Sequence, residues 1–145
     1  MIRRFGEQPD PGRRYKSRPG AYAILHRGSS VLLTFQSRPE PEFQLPGGGI
    51  DPGESPIQAL HREVHEETGW RIGSPRKLGA FRRFTYMPEY DLWAEKLCHV
   101  FVARPVMRLC EPLEPDHTVV WMNATTAADA VYNDGDRSFL HRYFI

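Results

Sequence analysis

Residues 47–70 read GGGIDPGESPIQALHREVHEETGW and carry signals for both ends of one helix. Ser55 can act as the N-cap, and Gln58, three residues later, completes a capping box with it. Pro56 suits the first helical position, and Gly69 suits the left-handed residue that follows a helix. The segment therefore predicts a helix that begins at Pro56 and ends just before Gly69, preceded by a glycine-rich stretch of turns.

The sequence on both sides of this helix is dominated by strand-like runs. Short apolar, β-branched and aromatic runs predict strands, and two segments near the C-terminus predict short helices. The predicted strands are 21–25, 31–35, 78–85, 97–103 and 119–122, and the predicted short helices are 126–131 and 137–144. Within the first helix, Ile57, Leu60 and Val64 fall on one face, which we expect to lie against a sheet. The fold class that fits is α/β (α+β), a sandwich of helices around a mixed β-sheet.

Length and charge exclude several classes of protein. The chain has 145 residues and a formal net charge of +1, which indicates one domain and argues against binding nucleic acid or a membrane through basicity alone. The charge is uneven, because residues 1–18 contain six basic side chains and two acidic ones. We therefore divide the chain into a basic, solvated N-terminal arm over 1–17 and a single domain over 18–145.

Cysteine content and hydropathy indicate the compartment. Cys98 and Cys110 lack the spacing of a disulfide framework or a zinc site, so we interpret them as free thiols. The N-terminal residues do not resemble a signal peptide, and no stretch approaches 18 apolar residues. We expect a cytoplasmic protein with no membrane partner, and we leave a homodimer open.

Three glutamates of the predicted helix share one face. Glu63, Glu66 and Glu67 are spaced i, i+3, i+4, so they fall within an arc of about 100°. Like charges at this spacing repel, and the helix dipole also disfavours anions near the C-terminus. Carboxylate oxygens suit hard divalent cations such as Mg²⁺ or Mn²⁺. These glutamates, with Glu54 in the preceding loop, therefore predict a metal site.

The complete pattern resembles the Nudix box of the Nudix hydrolases. All fixed polar and glycine positions of that 23-residue box are matched, namely Gly48, Glu54, Arg62, Glu63, Glu66, Glu67 and Gly69. Trp70 departs from the pattern, because the family usually has an aliphatic residue there. The run from Phe43 to Gly49 looks like the strand and loop that lead into the box. The resemblance implies a Nudix-type α/β/α sandwich around a mixed β-sheet, and hydrolysis of a nucleoside diphosphate linked to another moiety.

The resemblance also implies roles for individual residues. The implied metal ligands are Glu63, Glu66, Glu67 and the Gly47 carbonyl, with Mg²⁺ or Mn²⁺ as the cofactor. Glu54 would pair with Arg62, and Arg62 would orient the carboxylates, so that these two join the three glutamates in the catalytic set. The general base differs among members of the family. The downstream candidates here are Asp116, Glu114 and Glu111, with His117 as one that is not a carboxylate.

Aromatic and basic residues beyond the box are candidates for substrate binding. Tyr86, Tyr90 and Trp93 could stack on a base, and Arg82, Arg83 or Lys96 could hold distal phosphates. The expected partner is a small nucleotide, such as a dinucleoside polyphosphate, a nucleoside triphosphate or a nucleotide sugar. Two alternatives stay open. One is an RNA 5′-end pyrophosphohydrolase, although the negative balance outside the arm offers RNA little to hold, and the other is a nucleotide-sensing module without catalysis.

Overall fold

An eight-stranded mixed sheet forms the middle layer of the protein, in a computed structural model that describes residues 2–144. The strands are β1 (Arg3–Arg4), β2 (Lys16–Arg27), β3 (Ser30–Gln36), β4 (Glu42–Gln44), β5 (Gly47–Gly49), β6 (Trp70–Met87), β7 (Leu92–Arg108) and β8 (His117–Asn123). The helices are α1 (Pro56–Thr68), α2 (Ala124–Ala130) and α3 (Asp134–Phe144), with a 3-10 turn at Pro88–Tyr90. None of the helices in residues 2–144 is both long and apolar enough to cross a bilayer.

The sheet combines parallel and antiparallel pairing. Its main path runs β1-β6-β7-β2-β3-β4, while β5 pairs with β2 and β8 pairs with β3. The central pair, β2 and β7, is parallel from Lys16–Ala94 to Leu25–Ala103, whereas β6 and β7 form a long antiparallel hairpin. The predicted mixed sheet is confirmed.

The helices bury the two faces of this sheet in separate cores. Helix α1 contributes Ala59, Leu60 and Val64 to a core that includes alternate residues of the central strands, such as Ala21 and Phe101. Helices α2 and α3 cover the opposite face, where Ile24, Phe81, Cys98, Val100, Ala127 and Phe139 pack together. The alternation of strand side chains between two buried faces gives the three-layer α/β/α sandwich that the sequence predicted.

The ends of α1 are those that the sequence predicted. The Gln58 N–H donates to the Ser55 hydroxyl at 3.1 Å, the Ser55 N–H donates to the Gln58 side chain at 2.8 Å, and Gly69 adopts a φ of 76°. The expected burial of Ile57 is wrong, because its side chain is 43% exposed. Ile57 lies in the first turn of α1, while Leu60 and Val64 further along the helix are buried.

The glycine-rich stretch contains a strand where the sequence predicted turns. Gly47–Gly49 pairs antiparallel with Gly20–Tyr22 of β2, so the backbone of the glycines joins the sheet. A Cβ at Gly48 would overlap the Glu63 carboxylate. The segment is therefore extended because β2 offers it partners, and Gly48 leaves room for the Glu63 side chain of α1.

The N-terminal arm packs on the domain at several points. Arg3–Arg4 pairs in parallel with Phe81–Arg82, and the Phe5 ring lies 5.7 Å from the Phe81 ring. The Tyr15 ring lies 4.9 Å from Phe84, and the last residues of the predicted arm, 16–17, already belong to β2. Most residues of the arm are exposed, while backbone pairing and aromatic packing hold the arm on the domain at these points. Met1 and Ile145 lie outside the described residues.

Replacing Gly69 with Ala should destabilise the protein more than replacing Gly28. Both glycines have a positive φ (76° and 58°), which costs an alanine about 1–2 kcal/mol. Only at Gly69 would the Cβ also overlap a backbone carbonyl, that of Cys110, whereas Gly28 has open space, and such overpacking adds about 1–3 kcal/mol. Urea unfolding of the two variants measures the difference. Equal losses of unfolding free energy would contradict the packing of the 109–116 loop against the end of α1.

Candidate active site

The loop between β7 and β8 closes over the C-terminal end of α1. The Glu66 carbonyl accepts hydrogen bonds from the backbone N–H groups of Leu113 and Glu114 at 2.8 and 3.0 Å, and the Gly69 carbonyl accepts one from Leu109 at 2.8 Å. The last carbonyls of a helix lack partners within the helix, and this loop supplies them. Residues far beyond the box are thereby fixed beside its glutamates.

Arg62 is the centre of the acidic cluster. Its Nε and one terminal nitrogen donate to the two oxygens of Glu54 at 2.7 and 2.8 Å. Its other terminal nitrogen donates to Glu63 at 2.9 Å and to Glu66 at 3.3 Å. A further hydrogen bond, 2.9 Å long, joins the guanidinium to the Gly49 carbonyl. The predicted pair of Glu54 and Arg62 is present, and Arg62 also orients two of the three helix glutamates.

The pKa values in this cluster follow from its hydrogen bonds and its burial. Hydrogen bonds from Arg62 and from the backbone N–H of Asp51 lower the pKa of Glu54 from 4.5 to about 2. The Glu54 hydrogen bonds in turn raise the pKa of Arg62. Burial raises the pKa of Glu63 despite its contact with Arg62. Glu54 is thus firmly ionised, whereas Glu63 takes up a proton more readily than an ordinary glutamate.

Glu67 is the most enclosed of the glutamates. Its residue is 7% exposed, and one carboxylate oxygen accepts a hydrogen bond from the Gly47 N–H at 3.1 Å. Burial raises the pKa of Glu67 well above its usual value, and the charges of Glu63 and Glu114 raise it further. The family resemblance implied a role for the Gly47 carbonyl. In the structure the Gly47 N–H contacts Glu67. A buried carboxylate with charged neighbours favours either a proton or a bound cation.

The donor set of the cluster fits a hard divalent cation in its chemistry. Glu63, Glu66 and Glu67 offer carboxylate oxygens, the ligands that Mg²⁺ and Mn²⁺ prefer, and Glu63 lies over a glycine surface that a Cβ would fill. Within residues 2–144 no three His, Cys, Asp or Glu side chains stand close enough together to hold a metal. Arg62 donates to one oxygen of Glu63 and one of Glu66, so the second oxygen of each carboxylate has no bond to the guanidinium.

The four downstream candidates for a base occupy different positions. His117 places its Nε2 3.5 Å from a Glu67 oxygen, and its Nδ1 is buried without a hydrogen-bond partner. Glu114 stands close enough for its charge to raise the pKa of Glu63 and Glu67. Glu111 instead pairs with Arg108. Asp116 has a φ of 69° and is tied to Ser37 through its carbonyl.

The candidates for substrate binding are divided between the two faces of the sheet. Lys96 and Arg83 are register partners, so both project from the face that α2 and α3 cover. Arg82 projects from the opposite face and pairs with Glu95 at 3.2 Å. Trp93, on that face too, is covered by the Arg13 guanidinium at 3.6 Å from its ring. The structure therefore brings Lys96 and Arg83 to one wall and keeps Arg82 and Trp93 apart from them.

The tyrosines lie near the end of the β6–β7 hairpin. The Tyr86 hydroxyl donates to the Asp91 carboxylate, and its ring lies 5.2 Å from Trp93. Tyr90 is 56% exposed, and the Arg18 guanidinium lies 4.5 Å from its ring. Trp70, the departure from the box pattern, is buried in edge contact with Trp121 at 5.7 Å, so its larger ring has a partner across the sheet.

Two cavities meet at Lys96 and Tyr22. The larger, about 580 Å³, extends from Glu63 and Gly49 to Lys16, Arg18 and Lys96. The smaller, about 130 Å³, continues from Lys96 to Arg83, Asn133 and Asp136. Sequence reasoning missed Arg18, Asn133 and Asp136 as lining residues. No local signal marks them, because Arg18 reaches the cleft through strand pairing and Asp136 through the packing of α3.

The protein is an α/β/α sandwich in which the glycine strand β5 and the capped helix α1 hold glutamates around Arg62. This combination of fold and site defines the class of protein. The chain belongs to the Nudix family. The sequence model of the NUDIX domain matches residues 16–143, which include the box, strands β2 to β8, helices α1 and α2, and all but the last residue of α3.

Known proteins resemble this chain over different lengths. A Bacillus subtilis (strain 168) protein with the provisional name of an 8-oxo-dGTP diphosphatase is 36% identical over 74 residues, 51% of this chain and 50% of the relative. An RNA pyrophosphohydrolase of Francisella tularensis subsp. mediasiatica is 53% identical over 51 residues, 35% of this chain and 32% of the relative. The chain thus matches half the length of the first and a third of the second. A solved NUDIX hydrolase from Nitrosomonas europaea shares the fold, with a TM-score of 0.71, 20% identity and 88% of each chain covered.

Removing the Arg62 guanidinium should raise the pKa of Glu54 towards its ordinary value. Because the pKa of about 2 in the folded protein lies below 4.5, the pairing stabilises the fold above about pH 4.5 and is lost as the pH falls through about 2. Titration of the Glu54 carboxyl by NMR in wild type and Arg62→Met measures the shift. Arg71→Met, which removes an exposed arginine of β6, is the control. An unchanged Glu54 pKa in Arg62→Met would refute the assignment.

Proposed function

We propose that the protein hydrolyses the pyrophosphate bond of a nucleoside diphosphate linked to another moiety, with Mg²⁺ or Mn²⁺ as its cofactor. The observation that carries this proposal is the position of the Arg62-centred glutamate cluster at one end of a cleft whose other wall is cationic. Membership of the Nudix family, whose hydrolases generally depend on a divalent metal, supports it. The names of the two sequence relatives support pyrophosphate hydrolysis, and they differ in the substrate.

Each residue of the cluster has a separate task in this proposal. Glu63, Glu66 and Glu67 would hold the cation, which supplies charge neutralisation for the phosphates and lowers the pKa of a bound water. Glu54 keeps Arg62 in place through two hydrogen bonds, and Arg62 aligns the carboxylates of Glu63 and Glu66. The Gly47 N–H fixes the orientation of Glu67. Such prearranged charges lower the barrier because they need no reorganisation during the reaction.

Glu114 is the downstream residue that we favour as general base. Its backbone is held at the end of α1 by the Glu66 carbonyl, 3.0 Å away. Its side chain is exposed and free to accept a proton from water, whereas Glu111 is paired with Arg108.

The two alternatives from the sequence differ in their substrates. The RNA 5′-end activity gains support from the name of the Francisella relative and from Arg14, an exposed basic side chain of the arm. The binding-only alternative gains no support from the site, because a sensor has no need of a complete glutamate set held by an arginine. A cytoplasmic location, a homodimer and the domain boundary at residue 18 stay predictions.

Exchanging single glutamates for glutamine should abolish turnover without unfolding the protein. We expect Glu63→Gln and Glu67→Gln to lower kcat at least about a hundredfold, because each loses a charge that the cation requires. Glu40→Gln, an exposed carboxylate outside the cluster, is the control. The assay follows release of nucleoside monophosphate or phosphate with Mg²⁺ or Mn²⁺, and Mn²⁺ affinity is measured in parallel.

A broad panel of substrates in the same assay separates the proposal from its alternatives. It includes nucleoside triphosphates, dinucleoside polyphosphates, nucleotide sugars and triphosphorylated RNA. Preferred turnover of RNA, weakened in Arg14→Gln, would favour the RNA activity. Nucleotide-induced thermal stabilisation without turnover of any member would favour the sensor and overturn the proposed hydrolysis.

Replacing Glu114 should remove the acidic limb of the pH dependence of kcat, because a general base acts only when it is deprotonated. We expect Glu114→Gln to lower kcat by about 10²–10⁴-fold, the usual contribution of a general base, with little change in KM. Glu111→Gln and Asp116→Asn are matched controls in the same loop. The pH dependence of kcat shows the loss of one ionisation in Glu114→Gln alone. A larger effect in either control would move the assignment to that residue.

A further inference from the structure

Three cations form a row across the central strands. Lys96 of β7 is the register partner of Arg18 in β2 and of Arg83 in β6. Register partners on neighbouring strands lie about 5 Å apart and project from the same face. Like charges placed directly opposite each other destabilise a sheet, so this arrangement calls for a compensating negative charge.

Within the part of the chain that the structure describes, the row has no carboxylate paired with it. Among residues 2–144, the ion pairs within 4.0 Å include none to Arg18, Arg83 or Lys96, although Arg82, next to Arg83 on the other face, has Glu95. Arg18 is in contact with the Tyr90 ring instead. Burial lowers the pKa of Lys96, and the charge of Arg83 lowers it further. The row therefore carries the electrostatic cost of its charges without an internal partner.

Three acidic groups near the row do not form ion pairs with it within 4.0 Å. Glu42, Glu89 and Asp136 line the same smaller cavity. Glu42 accepts hydrogen bonds from the side-chain amides of Gln36 and Gln44 at 3.4 and 2.9 Å. Asp136 accepts one from the Leu45 N–H at 3.2 Å. These two carboxylates are thus hydrogen-bonded to other groups, and their charges act on the row without a direct ion pair.

The row also lies opposite the glutamate cluster. Arg18 and Lys96 line the cavity of about 580 Å³ whose other wall contains Glu63. Lys96 and Arg83 line the cavity that continues beyond it. A molecule that fills both cavities therefore contacts the carboxylate end with one part and the cationic row with the next.

We infer that Arg18, Lys96 and Arg83 form an anion subsite for a phosphate group of the substrate outside the glutamate cluster. The inference rests on the proposed function, because it assigns the neighbouring phosphate to the glutamates. Two guanidinium forks and one ammonium can share the oxygens of one phosphate, and this desolvated position strengthens each bond. The subsite selects substrates with at least three phosphates, namely nucleoside triphosphates and dinucleoside polyphosphates, over nucleoside diphosphates linked to a neutral sugar.

The first test measures binding without turnover. Calorimetric titration with inorganic tripolyphosphate, in the absence of metal, should give a Kd about tenfold or more higher in Lys96→Met and Arg83→Met than in wild type. Lys77→Met and Arg71→Met make the same chemical changes on β6, outside both cavities, and should leave the Kd unchanged. Thermal unfolding verifies that each variant folds. Equal affinities of all five proteins would overturn the subsite.

The second test measures substrate selection. The ratio of kcat/KM for a nucleoside triphosphate to that for a nucleotide sugar should fall about tenfold in Lys96→Met, because only the first substrate reaches the row. An equal loss on both substrates would reveal a structural role and contradict the subsite. Failure of the proposed hydrolysis can be distinguished from failure of the subsite. If the proposed hydrolysis is wrong, wild type turns over neither substrate, and the tripolyphosphate titration still decides whether the row binds an anion.

Discussion

The charge of Arg62 is the constraint on which the site depends. Glu54, Glu63 and Glu66 lie close enough to repel one another, and one guanidinium binds all three: Nε donates to Glu54, and a single terminal nitrogen donates to both Glu63 and Glu66. A lysine, with a single charged point, could not hold Glu54 by two parallel bonds and still reach the helix glutamates. The arginine also binds the Gly49 carbonyl. It therefore fastens the loop, the helix and the glycine strand into one unit.

The closeness of α1 to β5 follows from the absence of side chains on that strand. The Glu63 carboxylate occupies the space that a Cβ of Gly48 would fill, and Glu67 reaches the N–H of Gly47. Gly47 itself has no room for a Cβ, because one would overlap the Ala21 carbonyl of β2. Sheet pairing on one side and helix packing on the other thus both require glycine. The position of the glutamates is set by the backbone of the sheet.

The sequence predicted features whose causes are local and failed where partners are distant. The limits of α1 were predicted to the residue, because Ser55, Gln58 and Gly69 act within one turn of each end. The extension of β6 to Trp70–Met87 and the strand at the glycines were missed, since both depend on pairing with residues far along the chain. Within the site, Arg62 and Glu54 follow from the box, whereas Arg18 reaches the cleft only through the parallel register with β7.

A chain with almost no net charge can still have strongly charged regions. Here the strands hold the acidic and basic side chains apart. The glutamates project from α1 on one side of the glycine strand, while Arg18, Lys96 and Arg83 are fixed on adjacent strands facing the other core. Sheet pairing keeps the two groups of side chains apart, so the basic side chains do not neutralise the charge of the glutamates. In the proposed function, divalent cations would neutralise the glutamates and phosphate oxygens would neutralise the three basic side chains. A polyphosphate chain carrying divalent cations is the simplest single ligand that meets both at once.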